Sequence, residues 1–160
     1  MPQHATTPSF LERLAVLEEQ VATLRRTGWE RDELPFYPTS MRAMPYDDAT
    51  AFTSVWESVL TPRTASLSLG LVFIGDQVSG TNTGGAWQVV LAEADTVMSG
   101  SVAATFSYQF AAQVIDLTPY RTLTELKIQI QVRRTSGVTT GGKFGGGGAI
   151  GMAPRFARLL

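Results

Sequence analysis

The chain has 160 residues, of which 44% are hydrophobic and 17% are charged. This balance suffices to bury one core of ordinary size and argues against a wholly disordered chain. The chain contains thirteen Lys and Arg residues and fourteen Asp and Glu residues, which gives a formal net charge of -1. That charge supplies no general attraction to nucleic acid or to an anionic membrane. The absence of cysteine excludes disulfides and thiolate chemistry.

The sequence divides into three predicted segments. Residues 1–28 are expected to form a coiled-coil helix, residues 29–51 a connecting arm, and residues 52–160 a β domain. The first nine residues lack the basic and apolar regions of a secretory signal. No later stretch approaches the ~20 apolar residues of a membrane-spanning helix, so we expect a soluble chain without membrane insertion.

A heptad pattern marks the only strongly helical stretch, which covers residues 8–27. Its apolar side chains are spaced as in the seam of a coiled coil, and they are Phe10, Leu14, Leu17, Val21 and Leu24. In the same register Arg13 takes a g position and Glu18 an e position, so the two can pair between parallel neighbours. The start of the helix is marked either by Thr7 before Pro8 or by a capping box at residues 9–12, and Gly28 marks its end.

The length of this helix predicts association. About 20 residues barely exceeds the ~12–15 below which an isolated helix is marginal in water, so contacts with other copies must supply stability. We therefore expect a homo-oligomer, and a trimer is favoured because Leu11 at an e position widens the apolar stripe. The alternative is an amphipathic helix that packs on its own β domain.

The arm combines prolines with aromatic residues and shows no sustained periodicity. Its prolines push the residues before them toward extended conformations. Its aromatic residues are Trp29, Phe36, Tyr37 and Tyr46. A free linker rarely carries so many, so we expect an ordered arm that packs on the β domain or on a neighbouring subunit.

The last segment shows short β-type runs separated by Gly, Ser, Thr and Asn. In the clearest run, residues 126–133, apolar and long polar residues alternate, which is typical of an antiparallel sheet with one face in water. Other runs occupy residues 66–74, 87–91, 105–110 and 113–117, and a terminal strand starts near residue 149. The predicted fold is therefore mainly β, an antiparallel β-sandwich or jelly-roll-like domain after an N-terminal coiled-coil helix.

Two glycine- and threonine-rich stretches are predicted to be loops. Residues 79–85 read as a long polar hairpin loop. The glycine run at residues 145–148 is expected to form a mobile loop, or else to let another backbone approach closely.

Residue types that support catalysis are scarce. The single histidine, His4, precedes the helix, which excludes a Ser-His-Asp triad or a histidine-based metal cluster within one chain. Asp76 and Asp95 fall in apparent turns, where Asp commonly binds the backbone. Neither an EF-hand nor a phosphate-binding loop is present. We predict no catalytic residue, no metal and no cofactor. The competing hypothesis is a glycan-degrading enzyme that uses two carboxylates.

Four aromatic residues are candidates for a ligand site or a subunit interface, namely Trp56, Trp87, Tyr108 and Tyr120. Stacking of such rings on sugars would make the chain a carbohydrate-binding module. The alternation around Trp87 instead places it on the apolar face of its strand. The basic pair Arg133-Arg134 lacks the interleaved aromatics that bind single-stranded nucleic acid, so it reads as a solvated face.

The combination of these segments resembles one family. The heptad helix at residues 11–21 (LERLAVLEEQV), the proline-rich arm, and residues 84–89 (GGAWQV) and 129–137 (QIQVRRTSG) are similar to minor tail proteins of actinobacterial phages and prophages. The resemblance implies a structural virion component of the tail tip or a fibre, assembled in the host cytoplasm. Its implied partners are further copies, other virion tail proteins and, for host attachment, a host cell-surface glycan, with avidity from multiple copies.

Overall fold

A computed structural model describes residues 13–21, 33–39, 44–78, 80–137 and 148–160. Residues 13–21 form one helix, α1. In chain order the strands are β1 (Tyr37–Pro38), β2 (Tyr46–Asp47), β3 (Thr53–Leu60), β4 (Ser66–Gly75), β5 (Gln77–Val78), β6 (Thr81–Asn82), β7 (Gly84–Leu91), β8 (Asp95–Val102), β9 (Gln109–Asp116), β10 (Leu126–Ser136) and β11 (Ile150–Leu159).

The predicted mainly β, sandwich-like fold is confirmed. One antiparallel sheet has five strands in the order β1-β3-β10-β7-β8, and the other has four in the order β2-β11-β4-β9. Strands β5 and β6 form a small separate ribbon, and β6 lies within residues 79–85, which were predicted to be a polar loop. The inward side chains of both large sheets belong to one hydrophobic core.

The core lies between the two sheets because alternate residues of their central strands point inward. In β10 the inward residues are fully buried, and they are Leu126, Ile128, Ile130 and Val132. In β4 the corresponding row is Leu67, Leu69, Leu71 and Phe73. The indole N–H of Trp56, on β3, donates to the backbone carbonyl of Met152, on β11, at 2.6 Å. This buried hydrogen bond joins the two sheets.

One predicted strand boundary is wrong. Residues 105–110 and 113–117 were expected to be two strands, but residues 103–108 bend and a single strand, β9, begins at Gln109. In the bend the hydroxyls of Thr105 and Ser107 lie 2.9 Å apart, within hydrogen-bonding distance. The side chain of Gln109 also bonds to the backbone of Ala103, accepting from its N–H at 2.9 Å and donating to its carbonyl at 3.1 Å. Such local bonds to the backbone compete with the ladder of a sheet, consistent with the late start of β9.

The described part of the arm packs on the β domain. Strand β1 pairs with β3 in one sheet, and β2 pairs with β11 in the other. Leu34 is buried, and its N–H donates to the carbonyl of Ala157 at 2.8 Å. The arm therefore supplies an edge strand to each sheet. Of the glycine run, only Gly148 lies among the described residues, with a φ of 87°.

Two glycines near the ends of β4 and β11 provide a test of this packing. A Cβ on Gly75 would collide with the backbone carbonyl of Thr83, which cannot rotate away. A Cβ on Gly151 would lie 3.4 Å from a methyl group of Ile74, which is ordinary contact.

We expect Gly75→Ala to lower the free energy of unfolding by about 1–3 kcal/mol because the new methyl group overpacks the site. Gly151→Ala should change it by no more than about 0.5 kcal/mol. Urea denaturation of both variants measures the difference. Equal losses in the two variants would contradict the packing described here.

Candidate functional surfaces

The two outer faces of the sandwich differ in chemistry. The outer face of the four-stranded sheet carries large apolar side chains, and we call it the aromatic face. It is formed by Tyr46, Val72, Phe106, Phe110, Val114 and Phe156. The outer face of the five-stranded sheet carries long polar side chains, and we call it the glutamine face. It is formed by Glu57, Gln88, Lys127, Gln129 and Gln131.

The aromatic face leaves much of its apolar surface in solvent. Phe110 is 70% exposed and Phe106 is 60% exposed, although side chains of this type are usually buried. The ring of Phe156 lies directly on Gly70, where any side chain would collide with it. A depression of about 350 Å³ between Phe110 and Phe156 has Arg155 at its rim. This face has the character of a surface that another molecule covers.

No strand among the described residues pairs with the outer side of β9, which therefore adds an open sheet edge to the aromatic face. It is the last strand in its sheet, eight residues long, and its sequence QFAAQVID contains no proline and no charge before Asp116. By contrast, β1 and β2, on the opposite side, are two residues each. Long, uncharged edges readily pair with further strands, and short edges do not. The exposed edge and the exposed aromatic rings therefore lie on the same part of the domain.

Helix α1 presents a second apolar surface. The predicted seam residues Leu14, Leu17 and Val21 are 41%, 57% and 47% exposed. Arg13 and Glu18 are exposed as well, so within residues 13–21 the helix does not bury its stripe on the β domain. The remaining seam residues, Phe10 and Leu24, lie outside the described residues. The coiled coil itself stays a prediction.

Trp56 and Trp87, two of the candidates for a ligand site or a subunit interface, are both buried in the β domain. Trp56 is 8% exposed and Trp87 is 4% exposed. The ring of Trp87 packs 5.7 Å from that of Phe73, centroid to centroid, inside the core. Alternation points both indoles inward, so neither offers a face to solvent.

The two predicted tyrosines have different environments. Tyr108 is 65% exposed and lies two residues before Phe110. Tyr120 ends a short 3-10 turn, and its hydroxyl donates to Asp95 at 2.9 Å. Partial burial, and then the hydrogen bond and charge of Asp95, raise the pKa of Tyr120. Tyr120 therefore has a structural partner, whereas Tyr108 is available at the edge of the aromatic face.

The glutamine face contains a continuous chain of hydrogen bonds across three strands. Gln88 donates to Gln131 at 2.7 Å, Gln131 donates to Gln129 at 3.4 Å, and Gln129 donates to Glu57 at 2.7 Å. Lys127 lies 3.4 Å from Glu57 and 3.2 Å from Glu93. These side chains are half-buried except Glu93, so their orientations are held by their neighbours.

Sequence reasoning missed the side chains that flank this chain. Tyr37 lies directly opposite Glu57 in the β1–β3 pair, so both side chains lie on the same face. Tyr37 is 66% exposed, and Val59, the next outward residue of β3, is 57% exposed. The arm was recognised as aromatic, but only the register of β1 places Tyr37 beside the glutamines.

Three other charged side chains, those of Asp76, Asp116 and Arg133, have local structural partners. Asp76 accepts a hydrogen bond from the N–H of Gln77, and Asp116 accepts one from the N–H of Thr118, as expected of turn residues. The guanidinium of Arg133 lies 4.7 Å from the ring centroid of Phe52. Among the described residues, no group of three or more Asp, Glu or His side chains is placed to hold a metal ion. Across these same ranges no helix is both long and apolar enough for a membrane span.

The Gln129 hydrogen bond has a measurable electrostatic effect. The amide of Gln129, and then Lys127, hold the pKa of Glu57 below its ordinary value of 4.5. A lowered folded-state pKa stabilises the fold above the unfolded-state pKa, and this contribution disappears as the pH falls through the folded-state value.

We expect Gln129→Ala to raise the pKa of Glu57 toward 4.5 because the main hydrogen bond to the carboxylate is lost. Gln88→Ala is the control, since the Gln88 amide bonds to Gln131 and does not reach Glu57. An NMR titration of the Glu57 carboxyl carbon measures both variants. Equal shifts would show that the bond at 2.7 Å does not set this pKa.

Comparison with known proteins gives distant likenesses only. No protein-family model matches the chain, and no curated protein matches its sequence. Its fold is similar to the enzymatically active domain of tailspike protein 4 of bacteriophage CBA120, with 12% identity and a TM-score of 0.37 over 82% of this chain and 19% of that chain. It is also similar to a structure of infectious bursal disease virus, Gt strain, with 17% identity and a TM-score of 0.36 over 80% of this chain and 33% of that one. The chain thus spans a minor part of either protein, and neither likeness identifies an activity.

Proposed function

We propose that the chain is a non-enzymatic, homo-oligomeric structural protein of a virion, of the phage-tail type, in which α1 and the aromatic face hold the copies together. The main support for an oligomer is the apolar surface that the aromatic face exposes to solvent. The resemblance of the helix, arm and β segments to actinobacterial minor tail proteins supports a location in a tail tip or fibre, next to other tail proteins.

The area of exposed apolar surface favours association. An aromatic side chain buries roughly 150–250 Å² when it is fully covered. Apolar burial contributes about 25 cal/mol per Å². Phe106, Phe110 and Val114 are each more than half exposed in a single copy. Covering them therefore stabilises an assembly, while leaving them in water favours non-specific aggregation.

A further copy of the chain is the partner that fits both apolar surfaces. A parallel coiled coil brings the copies together with their β domains at the same height, because every copy has the same helix and arm. Cyclic symmetry then presents the aromatic face of each copy to its neighbours. Three copies are proposed, because Leu11 widens the apolar stripe of the predicted helix at residues 8–27, and the glutamine face is left on the outside.

A charge placed in the helix seam tests whether α1 associates. Leu17→Asp places a carboxylate in the seam of every copy, so we expect the dissociation constant of the oligomer to rise by at least about tenfold. Val16→Asp is the matched control, because Val16 is 53% exposed but lies outside the predicted seam. Light scattering after size-exclusion chromatography measures the mass of the full chain and both variants. A monomeric wild-type chain would overturn the oligomer.

Matched substitutions on the two outer faces of the β domain test which face forms the contact between copies. Val114 on the aromatic face and Val59 on the opposite face are both 57% exposed. The double change Phe110→Ser with Val114→Ser should weaken association by at least about tenfold, since central aromatic residues dominate interfaces. Val59→Ser should leave the oligomeric mass unchanged. Analytical ultracentrifugation over a concentration series tests this, and equal effects would exclude the aromatic face as the contact.

A further inference from the structure

We propose that the glutamine face, together with Tyr37 and Val59, binds an uncharged oligosaccharide. This inference goes beyond the structural role proposed above and does not require the oligomer. It rests on the arrangement of apolar and polar groups on the outer side of β1, β3, β10 and β7.

The apolar contribution comes from two side chains that flank a carboxylate. Tyr37, on β1, lies opposite Glu57, on β3. Val59 is the next outward residue after Glu57 on β3. Both are more than half exposed, and neither adds to the core. A sugar ring has an apolar face of C–H groups and a rim of hydroxyls. Tyr37 and Val59 offer surface to the C–H groups while Glu57 meets the rim.

The polar contribution comes from glutamine amides that have an unused hydrogen-bond donor. Each glutamine has two N–H donors and an acceptor oxygen. Along the hydrogen-bonded chain Gln129 and Gln131 each donate one N–H and accept one bond within the row. Each amide therefore keeps a second N–H for a ligand. Sugar hydroxyl groups both donate and accept hydrogen bonds. They therefore complement a row of amides that offers both donors and acceptors.

The row is pre-ordered. Hydrogen bonds between neighbours fix glutamine rotamers that would otherwise be free, and this lowers the entropy lost when a ligand binds. Adjacent strands lie about 4.8 Å apart, so the row from β1 to β7 extends about 14 Å. That length fits several linked sugars better than a single one.

The charges on this face favour an uncharged ligand. Lys127 lies 3.4 Å from Glu57 and 3.2 Å from Glu93, so its positive charge is already paired with two carboxylates. The hydrogen bond that Lys127 donates to Glu93, and then its interaction with Glu57, raise the pKa of Lys127. With one positive and two negative charges, this group gives no attraction to phosphate or sulfate groups.

The test uses the full chain on an array of neutral and sulfated oligosaccharides of glucose, galactose, mannose and arabinose. We expect binding to neutral members, followed by calorimetry on a soluble oligosaccharide that binds. Tyr37→Ala and Gln129→Ala should each weaken that binding at least about tenfold, and Tyr37→Phe should retain it because the ring remains. The matched control is Tyr108→Ala, since Tyr108 is 65% exposed against 66% for Tyr37.

Each outcome decides the inference. Thermal unfolding checks that the Tyr37→Ala protein is folded, and Gln129→Ala repeats the test away from the short β1 strand. Absence of binding to any neutral member, binding to sulfated members alone, or an equal loss in Tyr108→Ala would overturn it. Light scattering on the same samples separates this result from the proposed assembly. A monomer that binds sugar would support the site while contradicting the oligomer.

Discussion

The burial of two apolar rows against each other is the constraint on which the β domain depends. The inward residues of β4 and β10 are nearly all below 2% exposure, and Trp56 ties the sheets together through the carbonyl of Met152. Because side chains alternate along a strand, fixing the inward rows also fixes every outward residue. A shift of one residue in β10 would bury Lys127 and three other long polar side chains. The chemistry of both outer faces therefore follows from the packing of the core.

This constraint gives the domain two surfaces with opposite requirements. The glutamine face links its polar side chains by hydrogen bonds and is stable in water. The aromatic face places Phe106, Phe110 and Phe156 where only a covering surface removes them from solvent. The seam on α1 has the same requirement. The assembly proposed above meets both needs, since in it the helices associate along a common axis and the aromatic faces turn toward neighbouring copies. The polar faces are then displayed outward in several copies.

Sequence patterns predicted those parts of the fold where one face of a strand is apolar and the other polar. Strand β10 is such a case, because its lysine, glutamines and arginine alternate with fully buried residues. Strand β9 is not, because Phe110 and Val114 face outward while Ala111 and Ile115 face inward, and periodicity cannot tell these rows apart. Strand β1 is too short to carry any pattern, so the position of Tyr37 beside Glu57 depends on tertiary pairing alone. The aromatic face and the position of Tyr37 beside the glutamines were missed for these reasons, whereas the burial of Trp87 followed from its strand.

The position of β11 also determines when the domain can fold. This strand is the last of the described strands to be synthesised, yet it lies inside its sheet, between β2 and β4. Its partners are distant in sequence, since Ile150 pairs with both Asp47 and Gly75. Pairings of such long range make folding slow, because the cost of closing large loops precedes the gain from contacts. Until residue 159 has left the ribosome, β4 has an open edge and the core lacks Ile150 and Met152. The nascent domain therefore depends on its final strand to close the four-stranded sheet, so truncations at this end should impair folding of the whole domain rather than trim one edge.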